Sequence, residues 1–188
     1  MKRNKGPYAW AIKITIATFF ISLIIGITTN IVLDHVNLII AFIVLIAVIF
    51  LGIIFDIIGI SVTSATEVPF HSKSTRGMGG SKESIALIRN AEKVSSFCND
   101  VIGDIAGVIS GGLAAAIVTL IHTKYHFFNA IILNFLLTAT VAAMTVGGKA
   151  VGKGIAINKS EQIVTKVGKT IFWWKQLFHI KQEKRPNK

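Results

Sequence analysis

Residues 36–67 read VNLIIAFIVLIAVIFLGIIFDIIGISVTSATE. From Val36 to Phe55 the stretch carries no charge, and its apolar character continues through Asp56 to about Ser64. About 20 apolar residues suffice for a helix to cross the hydrocarbon core of a bilayer. Three other runs meet that length. Residues 14–33 and 127–148 are uncharged, and the stretch between Lys93 and Lys124 holds only Asp100 and Asp104. In lipid, only helices and closed barrels satisfy every backbone polar group, and no run shows the ten-residue alternation of a barrel strand. The sequence therefore predicts an all-α membrane protein with four transmembrane helices, at about 14–33, 38–64, 96–122 and 127–148.

Composition points the same way. Hydrophobic residues make up 52% of the 188-residue chain, charged residues 15%, and mean hydropathy is +0.65. A soluble domain has about 25% charged residues. The apolar content excludes a disordered chain, and a single cysteine, Cys98, excludes a disulfide framework or a cysteine-rich zinc site. The net charge of +11 would suit nucleic acid only if it formed a folded basic face. Here the charges sit in short stretches between apolar runs, so no nucleic-acid partner is expected. Residues 2, 3 and 5 are basic and precede the first run, as in a signal peptide. That run is longer than the roughly 7–15 residues of a signal core and lacks a small-residue exit, so it is read as a retained anchor.

Basic residues set the topology. Lys2, Arg3, Lys5 and Lys13 precede the first span; Lys73, Arg76, Lys82, Arg89 and Lys93 lie between the second and third; ten follow from Lys149 on. Only Lys124 lies elsewhere, so nineteen of twenty basic residues fall on one side of an even-span arrangement. The positive-inside rule makes that side cytoplasmic, with both termini inside. The expected layout is a basic tail at 1–13, a membrane domain at 14–155, and a basic interfacial helix and tail at 156–188.

Between the second and third spans, Pro69, Gly77, Gly79 and Gly80 break the chain, and 81–93 then resembles a short amphipathic helix. After the fourth span, Ile163, Val164, Val167, Ile171 and Phe172 recur at helical spacing behind the N-cap Ser160 and Glu161. Trp173 and Trp174 stand among Lys166, Lys169 and Lys175, which fits a helix lying on the inner leaflet, with membrane lipid as its partner. Packing against another cytoplasmic segment is the alternative.

Charged groups inside a bilayer cost roughly 2.5–3.5 kcal/mol each on insertion scales and must face protein or water. Asp56, Glu67, Asp100 and Asp104 lie in or beside the cytoplasmic halves of the spans, and Asp100 and Asp104, four apart, share a helix face with Asn99 one residue earlier. Such oxygens suit a hard divalent cation. They also suit a wet cytoplasmic mouth, pairing with Lys149 or Lys153, or helix N-caps. Gly103, Gly107 and Gly111, four apart, are expected to form a close helix contact. Gly147, Gly148, Gly152 and Gly154 suggest an unwound end of the fourth span with free carbonyls.

These residues resemble the transmembrane domain of the CNNM/CorC magnesium transporter family. Ser64-Ala65-Thr66-Glu67 looks like its S-x-x-E element, Asn99 occupies the place of the Asn near the start of its next span, and residues 148–153 stand where its G-E-x-x-P-K pattern lies. The resemblance covers about 41–175 and is greatest to short bacterial CorB-like members. It implies a homodimer with a magnesium site at Ser64, Glu67, Asn99 and Gly148, and a bound ion not required for folding. Lys149 stands where the family has Glu and Gly152 where it has Pro, and the family's nucleotide-binding CBS pair is absent from the chain. A lysine cannot ligate magnesium, so Asp100 and Asp104 are the candidate replacement carboxylates.

The resulting expectation is transport or binding of divalent cations, magnesium or cobalt, at the cell membrane. The metal set is Ser64, Glu67, Asn99, Asp100, Asp104 and Gly148, with Lys149 modulating it. The alternative is a non-transporting scaffold or partner protein whose acidic site Lys149 neutralises. No P-loop, G-x-G-x-x-G or H-E-x-x-H motif occurs, and no nucleophile constellation marks an enzyme. His71 and His179 read as surface residues.

Overall fold

The computed structural model describes residues 7–33, 37–124 and 129–177, and every element among them is a helix. The helices are α1 (Pro7–Leu33), α2 (Leu38–Ser64), α3 (Val68–Thr75), α4 (Ser81–Arg89), α5 (Ala91–Lys124), α6 (Ala130–Asn158) and α7 (Ser160–Leu177). Within α5 the stretch Phe97–Ile102 widens into a π-helix. Helices α2, α5 and α6 are long and apolar enough to cross a membrane, so the chain is a membrane protein. Helix α1 covers the expected first span, though its described apolar stretch, Ile14–Ile24, is shorter than a crossing needs. Helix α1 begins at Pro7, inside the stretch 1–13 read as the basic tail. Residues 1–6 and 178–188, which carry the rest of the two basic tails, lie outside the described residues.

Side-chain-to-backbone fit sets the direction of the three long helices. Gly52 of α2 meets Ala106 of α5, and Gly59 meets Asn99, so residue numbers rise on one helix as they fall on the other. The pair is antiparallel. On α6, Gly148 receives the side chain of Ile53 and Gly152 that of Ile57, while Ser61 donates to the Ala156 carbonyl at 3.2 Å. Numbers rise together here, so α2 and α6 run parallel. The rows 53, 57, 61 and 148, 152, 156 both step by four, the ridge-into-groove geometry of close helix packing. Ala41, Leu45 and Ile49 of α2, Leu113, Ala114 and Ile117 of α5, and Val141 of α6 form the apolar core at the other end. Helix α1 packs on α5.

One glycine expectation is overturned and a second is narrowed. No unwound end occurs at Gly147–Gly154, since α6 runs unbroken from Ala130 to Asn158. Gly148 and Gly152 are seats for isoleucine side chains, and an added Cβ at Gly148 would overlap the end of Ile53. Gly148 therefore offers no free carbonyl to a metal. Of the close contact expected at Gly103, Gly107 and Gly111, within one chain or between two, only Gly103 is closely met inside the chain, by Lys149. A Cβ at Gly107 or Gly111 would meet nothing within 4 Å, and the close approach of α5 to α2 goes through Ala106 instead.

A second layer caps the end of the bundle where α2 and α6 finish. Val62, Phe70 and Val164 are its buried centre. Pro69 stands in the first turn of α3, where its missing N–H costs nothing. Gly80, at φ +88°, turns the chain into α4. Its open side lies against the α7 backbone, 2.6 Å from Lys169 N for an added Cβ. Gly168 lies against Ser84, whose single hydroxyl proton is shared between the carbonyls of Gly80 (3.0 Å) and Val164 (3.1 Å). Ion pairs Lys73–Glu161 (2.8 Å) and Lys175–Glu83 (3.3 Å) flank the contact. The stripe of α7 read as a lipid-facing side is thus covered by α2 and α4, the alternative left open by the sequence, while Trp173, Trp174 and Leu177 stay exposed.

The α4–α7 contact depends on two backbones approaching without side chains. Overpacking a filled contact costs about 1–3 kcal/mol. Gly168→Ala is expected to lower the thermal unfolding midpoint in detergent, whereas Gly154→Ala, whose Cβ would meet nothing within 4 Å, should leave it unchanged or raise it. Equal midpoints for both variants would refute the contact.

Candidate functional site

The charged group deepest in the α2 run is Asp56, two turns before its C-terminal end. An unpaired carboxylate there would be costly in lipid. Helix α6 supplies the counter-charge: Lys149 Nζ stands 3.6 Å from Asp56 Oδ1. The aspartate side chain keeps 13% of its exposure and the lysine 29%. The ammonium passes over Gly103 of α5, where an added Cβ would lie 3.2 Å from Nζ. Gly103 is therefore the opening through which the pair meets.

One helical turn towards the second layer, the interface stays polar. Gly59 stands three residues after Asp56, and the Asn99 amide fills the space against it. Asn99 Nδ2 donates to Ser95 Oγ at 3.2 Å. Its Oδ1 is buried and has no hydrogen-bond partner, the one such side-chain atom among the described residues. A buried acceptor without a donor is costly and rare in folded proteins. Asn99 sits in the π-helical stretch, where an extra residue per turn re-aims side chains; such stretches are frequent at functional sites. Asp56, Lys149, Gly59, Asn99 and Ser95 thus line one polar seam between α2, α5 and α6.

The residues expected to hold a metal do not converge. Ser64 is exposed at the last position of α2. Glu67 accepts from Arg89 Nε and lies against His71 Nε2, each at 3.1 Å. Asp100 accepts from Ser96 Oγ at 2.7 Å on the exposed side of α5, and Asp104 is exposed one turn further along the same side. Gly148 is filled by Ile53. Among the described residues, no three His, Cys, Asp or Glu side chains cluster as a metal site. The six-residue set does not fit a magnesium ion, and Lys149 pairs with Asp56 rather than with Asp100, Asp104 or Glu67. Asn99 alone of that set faces the seam.

The sequence places Asp56 among the intramembrane carboxylates and Lys149 among their possible partners, but the expected metal set leaves Asp56 out, although a signal existed. Gly52, Asp56 and Gly59 are spaced by four and three, which places two small residues and a carboxylate on one face of α2. Compared with known proteins, the chain matches no family model, no curated protein and no solved structure.

Glu67 serves a different end. It ties the exit of α2 to the end of α4 through Arg89. The hydrogen bond with His71 is the largest influence on its carboxyl, with Arg89 adding to it, and together they hold it below the usual carboxylate range despite some desolvation. A lowered folded-state pKa means stability that is present above the ordinary carboxylate pKa and lost as pH falls through the lowered one. The gap in thermal midpoint between wild type and Glu67→Gln should thus be largest near neutral pH and close on acidification. A gap independent of pH would show that the ionised carboxylate does not matter.

For the seam, the test is a double-mutant cycle. Removing one partner of a fully buried pair costs about 3–5 kcal/mol and of an exposed pair about 0–1 kcal/mol, so this half-buried pair falls between, whereas replacing both partners is often close to neutral. Asp56→Asn and Lys149→Met should each lower the unfolding midpoint in micelles, and the double variant should regain most of the loss. Additive losses would mean that the two groups do not interact.

Proposed function

We propose that this multi-pass membrane protein binds divalent cations, magnesium or cobalt, in the seam between α2, α5 and α6 and moves them across the bilayer. The observation that carries the reading is the buried Asn99 Oδ1, an acceptor without a donor, one turn from the Asp56 carboxylate. Two protein oxygens at adjacent levels of an intramembrane interface suit a hard cation, which keeps several waters of its own. Lys149 takes the cation's electrostatic place while the seam is empty of metal and must withdraw when a cation enters. The arrangement supports four spans with both termini in the cytoplasm. Helix α1 would complete the bundle, and the antiparallel and parallel senses of α2, α5 and α6 agree with alternating crossings. The open Gly107 and Gly111 face of α5, beside the exposed Asp104, suits a second copy of the chain.

A second reading is favoured by the Asp56–Lys149 pair itself. A self-neutral seam needs no cation, and the protein would then be a non-transporting scaffold or partner of another membrane protein.

Magnesium titration separates them. Under the transport reading, Lys149→Glu should give a larger magnesium-dependent rise in thermal midpoint than wild type and a lower midpoint without metal, from carboxylate repulsion. Adding Asn99→Ala should remove most of that rise. Liposomes holding a magnesium-sensitive dye should report flux for wild type and little for Asp56→Asn. Equal magnesium responses in all variants, with no flux, would leave the scaffold reading.

A further inference from the structure

Helix α7 has two faces of different chemistry. Val164 is fully buried and Gly168 is held between Ser84 and Gly80. The opposite side carries Lys166, Lys169, Trp173 and Leu177, spaced by three, four and four, which is one continuous stripe of a helix. Trp173 is 66% exposed and Leu177 75%. Neither Lys166 nor Lys169 pairs with a carboxylate among the described residues, unlike Lys73 and Lys175, which are occupied by Glu161 and Glu83. A tryptophan and a leucine left open to water beside two unpaired ammonium groups are poorly placed for a cytosolic surface. They match the headgroup level of a bilayer, where an indole has an apolar body and a polar N–H to satisfy.

The chain's own connectivity supplies the surface. Only Lys159 separates α7 from α6, so the start of α7 is tethered to the end of a helix long and apolar enough to span the membrane. Lys181, Lys184, Arg185 and Lys188 follow in the sequence.

We propose that the Lys166–Lys169–Trp173–Leu177 face of α7 docks on anionic phospholipid headgroups of the bilayer. The lysines take the phosphodiester charge, and Trp173 and Leu177 enter the headgroup–acyl boundary. Because the opposite face of α7 grips α4, the lipid would hold the whole second layer against the membrane. A soluble acidic protein could offer the same charge, but not an apolar boundary for Trp173 and Leu177. This binding does not depend on a cation in the seam.

The test uses the full chain in lipid nanodiscs with Trp10→Phe and Trp174→Phe, leaving Trp173 as the reporter. In discs containing about one third phosphatidylglycerol, Trp173 emission should shift to the blue. It should lose most of its quenching by iodide and be quenched by lipids brominated near the headgroup. In pure phosphatidylcholine discs, or with Lys166→Glu and Lys169→Glu, iodide should quench it several-fold more strongly. Both lysines are exposed, so an unchanged unfolding midpoint would show that the double variant still folds. The proposal fails if Trp173 is equally open to iodide in both lipids, which would leave the stripe to a soluble partner. It also fails if Trp173 is equally protected in both lipids and in detergent, which would mean that the protein itself covers it.

Discussion

Everything in the membrane-spanning part follows from one carboxylate. Asp56 interrupts a helix that is otherwise almost wholly apolar, and in lipid it needs a counter-charge within reach. Lys149 on α6 is that charge, and Gly103 on α5 leaves it room to arrive. The neighbouring contacts alone would not set the register. Ile53 and Ile57 seat at Gly148 and Gly152, and Ala156 continues the small-residue row, so a slip of one turn would still find small residues opposite one of the isoleucines. A slip of about 5.4 Å, one helical pitch, would separate Lys149 from Asp56. The ion pair therefore selects one register from several that the apolar surfaces would tolerate. Specifying register is the best-attested use of polar pairs inside packed interfaces, and this half-buried pair is placed to serve it.

The same logic, in weaker form, organises the second layer. Its three connecting ion pairs, Lys73–Glu161, Lys175–Glu83 and Arg89–Glu67, each join segments distant in sequence. Exposed pairs contribute little each, about 0–1 kcal/mol, and of these six side chains only Glu83 is buried. What holds the layer is the burial of Val62, Phe70 and Val164 and the backbone approach at Gly80 and Gly168. The pairs consume part of the basic excess that marks this side of the chain, and they leave Lys166 and Lys169 over.

Three of the four expected spans are long and apolar enough to cross, and they were legible because a bilayer tolerates so few alternatives: length and absence of charge are properties of the string of residues. The helix boundaries near Ser64 and Ser160 could be read from local composition, though Ser160 is the first residue of α7 rather than its cap. The site was less legible. Whether Lys149 meets Asp56, Asp100 or Glu67 depends on how two helices are rotated against each other, and a single sequence does not encode rotation in its spacing. Glycine is ambiguous for a related physical reason. A residue without a side chain serves a broken helix and a closely packed one equally well, so Gly148 and Gly152 read as a break when they are seats. The α7 stripe shows the same limit, since two amphipathic readings were open until α4 was found against Val164 and Gly168.

The pairing also determines what a cation in the seam would have to do. With Asp56 and Lys149 both charged, the pair is neutral. A divalent ion about 4 Å from the ammonium would be repelled by about 8 kcal/mol at an effective dielectric near 20. The ion and the ammonium therefore exclude each other, and Asp56 can hold one or the other. When the ion enters, Lys149 must swing out, its long stem allowing the ammonium to reach the interface. The contact that singles out one register of α6 against α2 is then lost, while the small-residue row remains permissive. Under the cation-binding reading, occupancy and helix register would be coupled through a single lysine, and the coupling would be reciprocal: whatever shifts α6 along α2 would also change the affinity for the ion. In the non-transporting reading, the same lysine stays in place and the register never changes, so mobility of α6 relative to α2 is the physical property on which the two functions differ.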